Sequence, residues 1–401
     1  MDAFYASVEL LRYPQLKGLP VVIGGSRRSV GEVERLVPAG GTLADIAPDR
    51  FARLQHYTGR GVITTASYAA RQFGVGSAMG LMKAARLCPQ AILLPVDFDE
   101  YRQYSQLFKS VVQEIAPLME DRGVDEVYID FTQVPGGQRE GGKLLARLIQ
   151  KSIFERTGLT CSLGVAPNKL IAKIASEFNK PNGISVVHEA DLQPLIWPLP
   201  CRKINGIGPK AEARLLQHGL RTVGDIAAQD RAWLMARFGQ ATGAWMHDMA
   251  WGRDDRPVVT HSEPVSMSRE TTFDRDLHPV HDRAELGQIF TALCQKLAAD
   301  LQRKGYLGKT IGIKLRYDDF KAATRDHTID HFTADAHTIR RAAGLCLKRV
   351  PLDQRLRLLG VRIGGLIRHE NSVFSASNML PEQQIQRRVA IEKIAETGWL
   401  F

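Results

Sequence analysis

The chain has 401 residues, 44% of them hydrophobic, and its 53 lysines and arginines against 43 aspartates and glutamates give a net charge of +10. This composition excludes a disordered chain, and at roughly 100–200 residues per domain the length predicts two to four domains. Five widely spaced cysteines without a C-x-x-C pair argue against a disulfide framework and a zinc site, and with no signal peptide or long apolar run the chain is expected in the cytoplasm, without a membrane anchor.

The elements along the chain indicate a mixture of strands and helices. Apolar residues alternate with period two, the pattern of a strand, at 20–23, 124–131, 159–165, 311–317 and 356–363. Asn168 is placed to cap a helix whose apolar face consists of Leu170, Ile171, Ile174, Ala175 and Phe178. Residues 194–251 have a wholly helical pattern, and the polar, proline-bracketed residues 253–264 predict a linker. The sequence therefore predicts an α+β protein of several domains.

Positive charge is concentrated in the second half of the chain. Residues 201–401 hold 31 basic and 23 acidic residues, whereas residues 1–200 hold 22 and 20. Between Arg340 and Arg368 there are eight basic residues and one acid. A solvated surface is one explanation of such a run. A polyanionic partner, with nucleic acid as the first candidate, is the other.

Two adjacent acids, Asp125 and Glu126, follow the turn-forming residues 121–123 and precede a predicted strand. Neighbours within a strand point to opposite faces, but at a strand entrance after a turn the backbone can aim both carboxylates at one hard cation. A solvated acidic pair beside a turn is the competing interpretation. This stretch alone leaves both open.

Gly206 and Gly208 lie between two helical patterns, with Lys210 shortly after them. Glycines let backbone N–H groups approach a phosphate closely, and the start of a helix favours an anion. The segment resembles a helix-hairpin-helix motif, which grips the DNA backbone without reading its sequence. A packing turn has the same letters.

Five motifs occur in the order and spacing of the Y-family DNA polymerases, which the chain resembles from residue 1 to about residue 370: DAFYASVEL, ASYAARQFGVGSAM, GVDEVYID, CSLGVAPNKLIAKIASEFNKPNGISVV and the hairpin segment. The resemblance implies a template-directed, error-prone polymerase for translesion synthesis, acting as a monomer on primer–template DNA and deoxynucleotides. It also implies a right-hand fold: palm at 1–10 and 95–187, fingers at 11–94, a helical thumb with the helix-hairpin-helix at 188–256, a linker at 257–267, an α/β little finger at 268–372 and a tail at 373–401.

The same resemblance assigns the catalytic metal site. Two Mg²⁺ ions are expected at Asp125 and Glu126, with the backbone carbonyl of Met1 as a further ligand. Nucleotidyl transfer suits such a site, because paired metal ions can activate the attacking oxygen and stabilise the leaving group.

The nucleotide and DNA contacts also follow from the resemblance. Tyr5 is expected to act as a steric gate beneath the sugar, with Phe4 beside it in the nucleotide site or, by default, in the core. The triphosphate is expected to meet Tyr68, Arg71 and Lys180. The DNA backbone is expected to meet Gly206, Gly208, Lys210, Lys314, Arg316, Arg357 and Arg362.

The chain departs from the family at its first motif. The family's first metal-binding Asp is expected two positions before Asp2, ahead of Met1. Asp2 cannot replace that ligand, because two residues along a strand shift a side chain by roughly 6.5–7 Å. A chain that starts at Met1 is expected to lose most activity, so a second hypothesis is kept: a catalytically impaired relative that serves as a DNA-binding scaffold in damage tolerance. The otherwise complete nucleotide pocket favours the enzyme.

Two further segments differ from the family pattern. Residues 26–61 are longer than the usual connection and predict a surface excursion with short helices. Residues 371–401 are expected, at the level of the family, to bind a sliding clamp.

Overall fold

The structure, a computed structural model, describes residues 1–25 and 30–369. It divides into two compact units, Met1–His261 and Ser262–Phe401. Helices and sheets occur in both, which confirms the predicted α+β class. The sliding-clamp prediction for 371–401 lies outside the described residues.

Most helices of the first unit are short. They are α1 (Phe4–Arg12), α2 (Val30–Glu34), α3 (Tyr68–Arg71), α4 (Leu81–Leu87), α5 (Phe98–Ile115), α6 (Lys143–Thr157), α7 (Lys169–Ala175), α8 (Pro209–Gln217), α9 (Val223–Ala227), α10 (Arg231–Phe238) and α11 (Gln240–Ala250). The described part of the second unit contains α12 (Arg283–Lys304) and α13 (Ala336–Leu347).

The strands form separate small sheets in the first unit and one larger sheet in the second. The first unit contains β1 (Val21–Gly24), β2 (Ile63–Ala66), β3 (Ile92–Leu94), β4 (Met119–Asp121), β5 (Val127–Ile129), β6 (Leu163–Val165) and β7 (Ile184–Val186). The second contains β8 (Ser266–Leu277), β9 (Tyr306–Tyr317), β10 (Ala322–Thr333), β11 (Leu356–Gly364) and β12 (Ile367–Arg368). The sheet orders are β2-β1-β3, β4-β5, β6-β7 and β10-β9-β11-β8, with β12 paired to β9.

Two predicted strands are shorter in the structure. The strand predicted at 124–131 is reduced to β5, because Asp130 accepts a hydrogen bond from the backbone two residues further on and turns the chain. The strand predicted at 159–165 is reduced to β6, because Thr160 O instead accepts a hydrogen bond from Asp2 N at 3.1 Å. A local turn therefore ends the strand near 130, and a bond to the distant start of the chain takes the place of strand pairing near 160.

Helix α7 begins where the sequence predicts. The Asn168 side chain accepts a hydrogen bond from Ile171 N at 3.0 Å, the expected cap. The predicted apolar face is buried at Leu170, Ile171, Ile174 and Ala175. Phe178 was expected on that face and is 37% exposed, because the helix has already ended at Ala175.

The predicted linker begins with an anchored carboxylate. Residues 253–264 form neither helix nor strand, but the buried Asp254 accepts a hydrogen bond from Leu170 N at 3.0 Å and pairs with Arg256 at 2.6 Å. The hydrogen bond from Arg256 lowers the pKa of Asp254. This contact fixes the start of the linker against α7.

The insertion at 26–61 is more than a surface excursion. Its described residues form the expected short helical turns, including α2. However, Ile46, Phe51 and Leu54 are at most 4% exposed and pack with the core around β1 and β3. The prediction of a purely surface segment is therefore wrong, since apolar burial ties it to the fold.

The sheet of the second unit has one buried and one polar face. Ile311, Ile313 and Leu315 of β9 are buried in a core shared with α12 and α13. Residues between them on the strand point to the other face. Lys314 and Arg316, which are predicted to contact DNA, therefore lie on the face away from these two helices.

All five cysteines are free and buried: Cys88, Cys161, Cys201, Cys294 and Cys346. Among the described residues, no helix has both the length and the apolar character to cross a membrane.

Candidate active site and nucleic-acid interface

The acidic pair stands at a turn stabilised by its own side chains. Gly123 has a φ of +146, a backbone conformation that favours glycine. Its N–H donates to the Asp121 carboxylate at 3.0 Å. Lys109 donates to Asp121 at 2.8 Å and to Gly123 O at 2.7 Å. Asp125 follows half-buried and Glu126 exposed, just before β5. The turn thus presents both acids at a strand entrance, as the sequence predicts.

The first residues of the chain lie against this turn. The Met1 ammonium donates a hydrogen bond to Asp125 O at 2.7 Å. Helix α1 begins three residues later, and its Tyr5 lies near enough to Asp125 to respond to its charge. Burial, followed by the negative charge of Asp125, raises the pKa of Tyr5. Segments about 120 residues apart in sequence are therefore joined at one place.

The Tyr5 ring is held by other aromatic rings. It stacks on Tyr101 with the ring centroids 4.2 Å apart and meets Phe98 edge-on at 6.1 Å. Phe4 is 2% exposed and contacts Phe108 edge-on, so it has the default core position rather than a place in an open nucleotide site. The contact of Phe4 with a nucleotide stays a prediction without structural support.

Tyr101 is fixed from behind by a buried carboxyl. Its hydroxyl lies 2.6 Å from Glu9, and burial raises the pKa of Glu9 to about 7 despite Arg12, which lies 3.5 Å away. Arg12 also pairs with Asp97 at 2.9 Å. Sequence reasoning missed Glu9 and Tyr101, because both occupy amphipathic helices and nothing in the sequence pairs them.

The residues predicted for the triphosphate gather around Tyr68. The Arg71 guanidinium lies 4.8 Å from the centre of the Tyr68 ring. Burial, then the charge of Asp2, raises the pKa of Tyr68, and Arg71 and Lys180 act in the opposite direction. The Tyr68 hydroxyl is buried without a hydrogen-bond partner among the described residues. A polar ligand oxygen would satisfy it.

Lys180 and Asp2 carry the remaining charges of this group. Burial disfavours the charged form of Lys180, but Glu177, 2.6 Å away, outweighs burial and raises the pKa of Lys180. The Asp2 carboxylate accepts hydrogen bonds from Ser162 Oγ at 2.7 Å and Asn182 N at 2.8 Å. The Asp2 carboxylate therefore joins the start of the chain to two residues far along the sequence.

A cavity of about 820 Å³ connects part of the predicted site. Its lining includes Met1, Asp125, Glu126, Lys173 and Lys180. Tyr5, Tyr68 and Arg71 do not line it. The structure thus places the acids and Lys180 at one cavity, and the other nucleotide residues beside it.

The donor set suits Mg²⁺ only with help from other ligands. Among the described residues, no group of three or more His, Cys, Asp or Glu side chains is placed to hold a metal ion. Glu126 is ion-paired with Lys173. Mg²⁺ in polymerase-type sites commonly takes one or two carboxylates, and substrate phosphates and water supply the rest. Asp125 and Glu126 can supply the one or two carboxylates that such a site needs from the protein.

The hairpin of the first unit has the geometry of a close backbone approach. Gly206 has φ +113, and a Cβ there would lie 2.8 Å from the Trp245 ring. Gly208 precedes α8, in whose first turn Lys210 is exposed. The N–H groups at the start of α8 can bind an anion. The first helix of the predicted motif is only a 3-10 turn, Cys201–Lys203.

The predicted DNA-contacting residues of the second unit are mostly engaged. Lys314 pairs with Glu270 at 2.9 Å and Arg362 with Asp326 at 2.7 Å. The other two are Arg357, whose guanidinium lies 4.6 Å from the centre of the Phe320 ring, and Arg316, whose Nε is buried without a partner among the described residues.

Family comparisons agree with this architecture. The impB/mucB/samB family matches residues 1–177, the IMS family HHH motif matches 189–220, and the impB/mucB/samB C-terminal domain matches 264–376. DNA polymerase IV of Alkalilimnicola ehrlichii is 37% identical over 369 residues, which are 92% of this chain and 94% of that protein. DNA polymerase IV of Methanoculleus marisnigri is 37% identical over 91% of this chain and 92% of that protein.

Solved structures have the same fold. A Y-family DNA polymerase chimera aligns with a TM-score of 0.74 and 24% identity over 92% of this chain and 98% of its own. DinB from Sulfolobus solfataricus aligns with a TM-score of 0.57 and 25% identity over 90% of this chain and 96% of its own. The chain therefore belongs to the impB/mucB/samB family, the Y-family DNA polymerases. It is a DNA-directed DNA polymerase of the translesion type, similar to the DNA polymerase IV proteins, and as such binds template DNA and depends on a divalent metal ion.

Proposed function

We propose that this polymerase joins a primer 3′-hydroxyl to the α-phosphate of a deoxynucleotide at the turn that carries Asp125 and Glu126. The observation that carries this proposal is the contact between Met1 N and Asp125 O at 2.7 Å, which brings α1 and Tyr5 to the acids. Lys180 also lines the cavity that the two acids line, which supports a single nucleotide site.

Asp125 and Glu126 are the proposed holders of two Mg²⁺ ions, with the Met1 carbonyl as a third protein ligand. Mg²⁺ bound there would activate the primer oxygen and stabilise the leaving pyrophosphate. The protein contributes two carboxylates at a fixed turn. Glu126 must exchange its ion pair with Lys173 for that role.

Tyr68, Arg71 and Lys180 are the proposed triphosphate-binding residues. Arg71 supplies a planar donor and Lys180 a compact charge. The buried Tyr68 hydroxyl, which has no partner among the described residues, supplies a hydrogen bond. Lys180 is charged at neutral pH, since its pairing with Glu177 raises its pKa, and it must exchange that ion pair to bind the triphosphate.

Tyr5 is the proposed sugar gate. Its ring cannot move away easily, because it stacks on Tyr101, whose hydroxyl is bonded to Glu9. A fixed ring beneath the sugar rejects a 2′-hydroxyl by steric exclusion and so favours deoxynucleotides.

Primer–template DNA is proposed to contact the hairpin at Gly206, Gly208 and Lys210. In the second unit the proposed contacts are Lys314, Arg316, Arg357 and Arg362. These contacts address phosphates, and so suit an enzyme that copies any sequence. The palm is proposed at 1–10 and 95–187, the fingers at 11–94, the thumb at 188–256 and the little finger at 268–372. A monomeric state, a cytoplasmic location and a sliding clamp as a partner are proposed as well.

Primer extension on undamaged and adducted templates tests the metal assignment. Asp125→Ala is expected to lower the extension rate by roughly 10²–10³-fold or more, because charge stabilisation of the transition state is lost. Asp121→Asn is the matched control: it removes an acid of the same turn but keeps an oxygen that can accept the Gly123 N–H bond. Equal loss in the two variants would refute the assignment. A chain that binds DNA but does not extend a primer with any divalent metal would favour the scaffold hypothesis.

A further inference from the structure

The polar face of the second-unit sheet is arranged in rows of paired residues. One row runs Glu270, Gly360, Lys314 and Thr324 across β8, β11, β9 and β10. The next row runs Ser268, Arg362, Gly312 and Asp326 across the same strands. Each row therefore contains one basic and one acidic side chain on the same face, with a glycine between them.

Both ion pairs reach across that glycine to a strand that is not the neighbour. Lys314 on β9 donates to Glu270 on β8 at 2.9 Å, over Gly360 on β11. In the other row the Arg362 guanidinium makes two bonds, 3.2 Å and 2.7 Å long, to Asp326. That pair spans from β11 to β10 over β9.

The glycines leave the space in which these pairs lie. A Cβ at Gly312 would stand 1.9 Å from the Asp326 carboxylate and 3.0 Å from Arg362 Nε. A Cβ at Gly360 would stand 2.9 Å from Glu270 Cβ. The pairs therefore lie flat over bare backbone, and any larger residue at position 312 would displace the carboxylate.

The four side chains remain 38–48% exposed, so the pairs contribute little to stability and exchange readily. They nevertheless matter for a polyanion. A phosphate that binds Lys314 or Arg362 must first displace a carboxylate, and that carboxylate then repels the phosphate. The pairing thus opposes DNA binding at two of the cations that are proposed to hold it.

We propose that Glu270 and Asp326 set the affinity of this polymerase for DNA, by occupying Lys314 and Arg362 in the free protein and competing with the phosphates. The proposal rests on the proposed DNA contacts of the second unit. Glu270 and Asp326 thereby keep the affinity for DNA low, so that the enzyme releases its template readily.

Binding of a fluorescein-labelled primer–template by the full chain at several salt concentrations tests this. Glu270→Gln and Asp326→Asn are each expected to tighten binding by about threefold to tenfold and to steepen the salt dependence, since more phosphate contacts form without a competitor. Asp330→Asn is the control: Asp330 also lies on β10 and is 94% exposed, but it pairs with His331 and not with a proposed DNA contact. It reports the general effect of removing one negative charge.

Three further variants separate failure of this proposal from failure of the underlying function. Lys314→Ala and Arg362→Ala are expected to weaken binding. In the double variant, Asp326→Asn added to Arg362→Ala is expected to tighten binding no more than Asp330→Asn does in the parent chain. If the alanine variants weaken binding but Glu270→Gln and Asp326→Asn gain no more than the control, the acids do not set affinity and the proposed DNA contacts stand. If the alanine variants bind normally, the proposed contacts fail and this inference fails with them. Thermal unfolding of each variant confirms that the sheet is intact.

Discussion

The Tyr5 ring lies on the Tyr101 ring, with the centroids 4.2 Å apart and the planes inclined by 22°. The Tyr101 hydroxyl is in turn 2.6 Å from the buried Glu9. A residue proposed to select the sugar is thus supported by a ring and a carboxyl that never need to touch the nucleotide.

Tyr5→Ala is expected to lower the preference for deoxynucleotides over ribonucleotides by roughly 10–200-fold, the range within which the shape of a pocket discriminates one small group of a ligand. Tyr5→Phe keeps the ring and should keep the preference. The ratio of kcat/KM for the two nucleotide types measures it. An unchanged ratio in Tyr5→Ala would show that another residue excludes the 2′-hydroxyl.

Tyr101→Phe is expected to lower the free energy of unfolding by about 1–3 kcal/mol, because the buried Glu9 loses its hydrogen-bond partner while the ring stack remains. Tyr104→Phe, one turn further along α5 and only partly buried, serves as the control and should change little. Chemical denaturation compares the two. Similar small effects would mean that the bond to Glu9 adds nothing to stability.

Glu9→Gln tests the pH dependence of the same group. Burial raises the pKa of Glu9 from 4.5 to about 7 in the folded chain, so the folded state favours the protonated form. The stability from this group is complete below the unfolded pKa and is lost as the pH rises through about 7. Glutamine stays neutral at every pH. The free energy of unfolding of Glu9→Gln, relative to that of the parent chain, should therefore rise by up to about 3 kcal/mol from about pH 5 to about pH 8.5. Denaturant unfolding at the two pH values measures this difference. If the variant and the parent chain differ by the same free energy of unfolding at both, the assignment is contradicted.

Asp254→Ala is expected to destabilise the first unit by about 1–3 kcal/mol, since Leu170 N at the start of α7 loses its acceptor and Arg256 its partner. The pKa of Asp254 is lowered, so its contribution should be present at neutral pH and disappear on acidification. Asp255→Ala removes the exposed neighbouring acid and is the matched control. Thermal unfolding measures both, and equal melting temperatures would rule out this anchoring role.

Gly206→Ala is expected to lower the free energy of unfolding by more than about 1 kcal/mol. The φ of +113 is unfavourable for alanine, and the new Cβ would lie 2.8 Å from the Trp245 ring. Gly208→Ala has no atom within 4 Å of the added Cβ, so its free energy of unfolding should fall by less than about 1 kcal/mol, the cost of alanine at the N-cap of α8. Thermal unfolding distinguishes the two. Equal stability would show that the hairpin relaxes around the added methyl group.

Local signals in the sequence identified much of the fold. The Asn168 cap, strand β9 and the helical stretch after residue 194 depend on nearby residues and were confirmed. The predicted strand ends near 130 and 160 were wrong, because a local turn at Asp130 decides the first and a bond from Asp2 N to Thr160 O decides the second.

The candidate site divides in the same way. Asp125 and Glu126 could be nominated from a turn and a resemblance. The supporting pair Tyr101 and Glu9 could not, since only the folded chain brings them together. The pairing of Lys314 with Glu270 was equally hidden, because it depends on the register of strands far apart in sequence.

The burial of all five native thiols has a practical consequence. Because protected thiols react slowly with alkylating dyes, one cysteine introduced on the surface of either unit can carry a fluorophore without replacement of the native ones. Conversely, the uptake of dye by the unaltered chain during heating reports the opening of its interior, so the protein contains its own probe of unfolding.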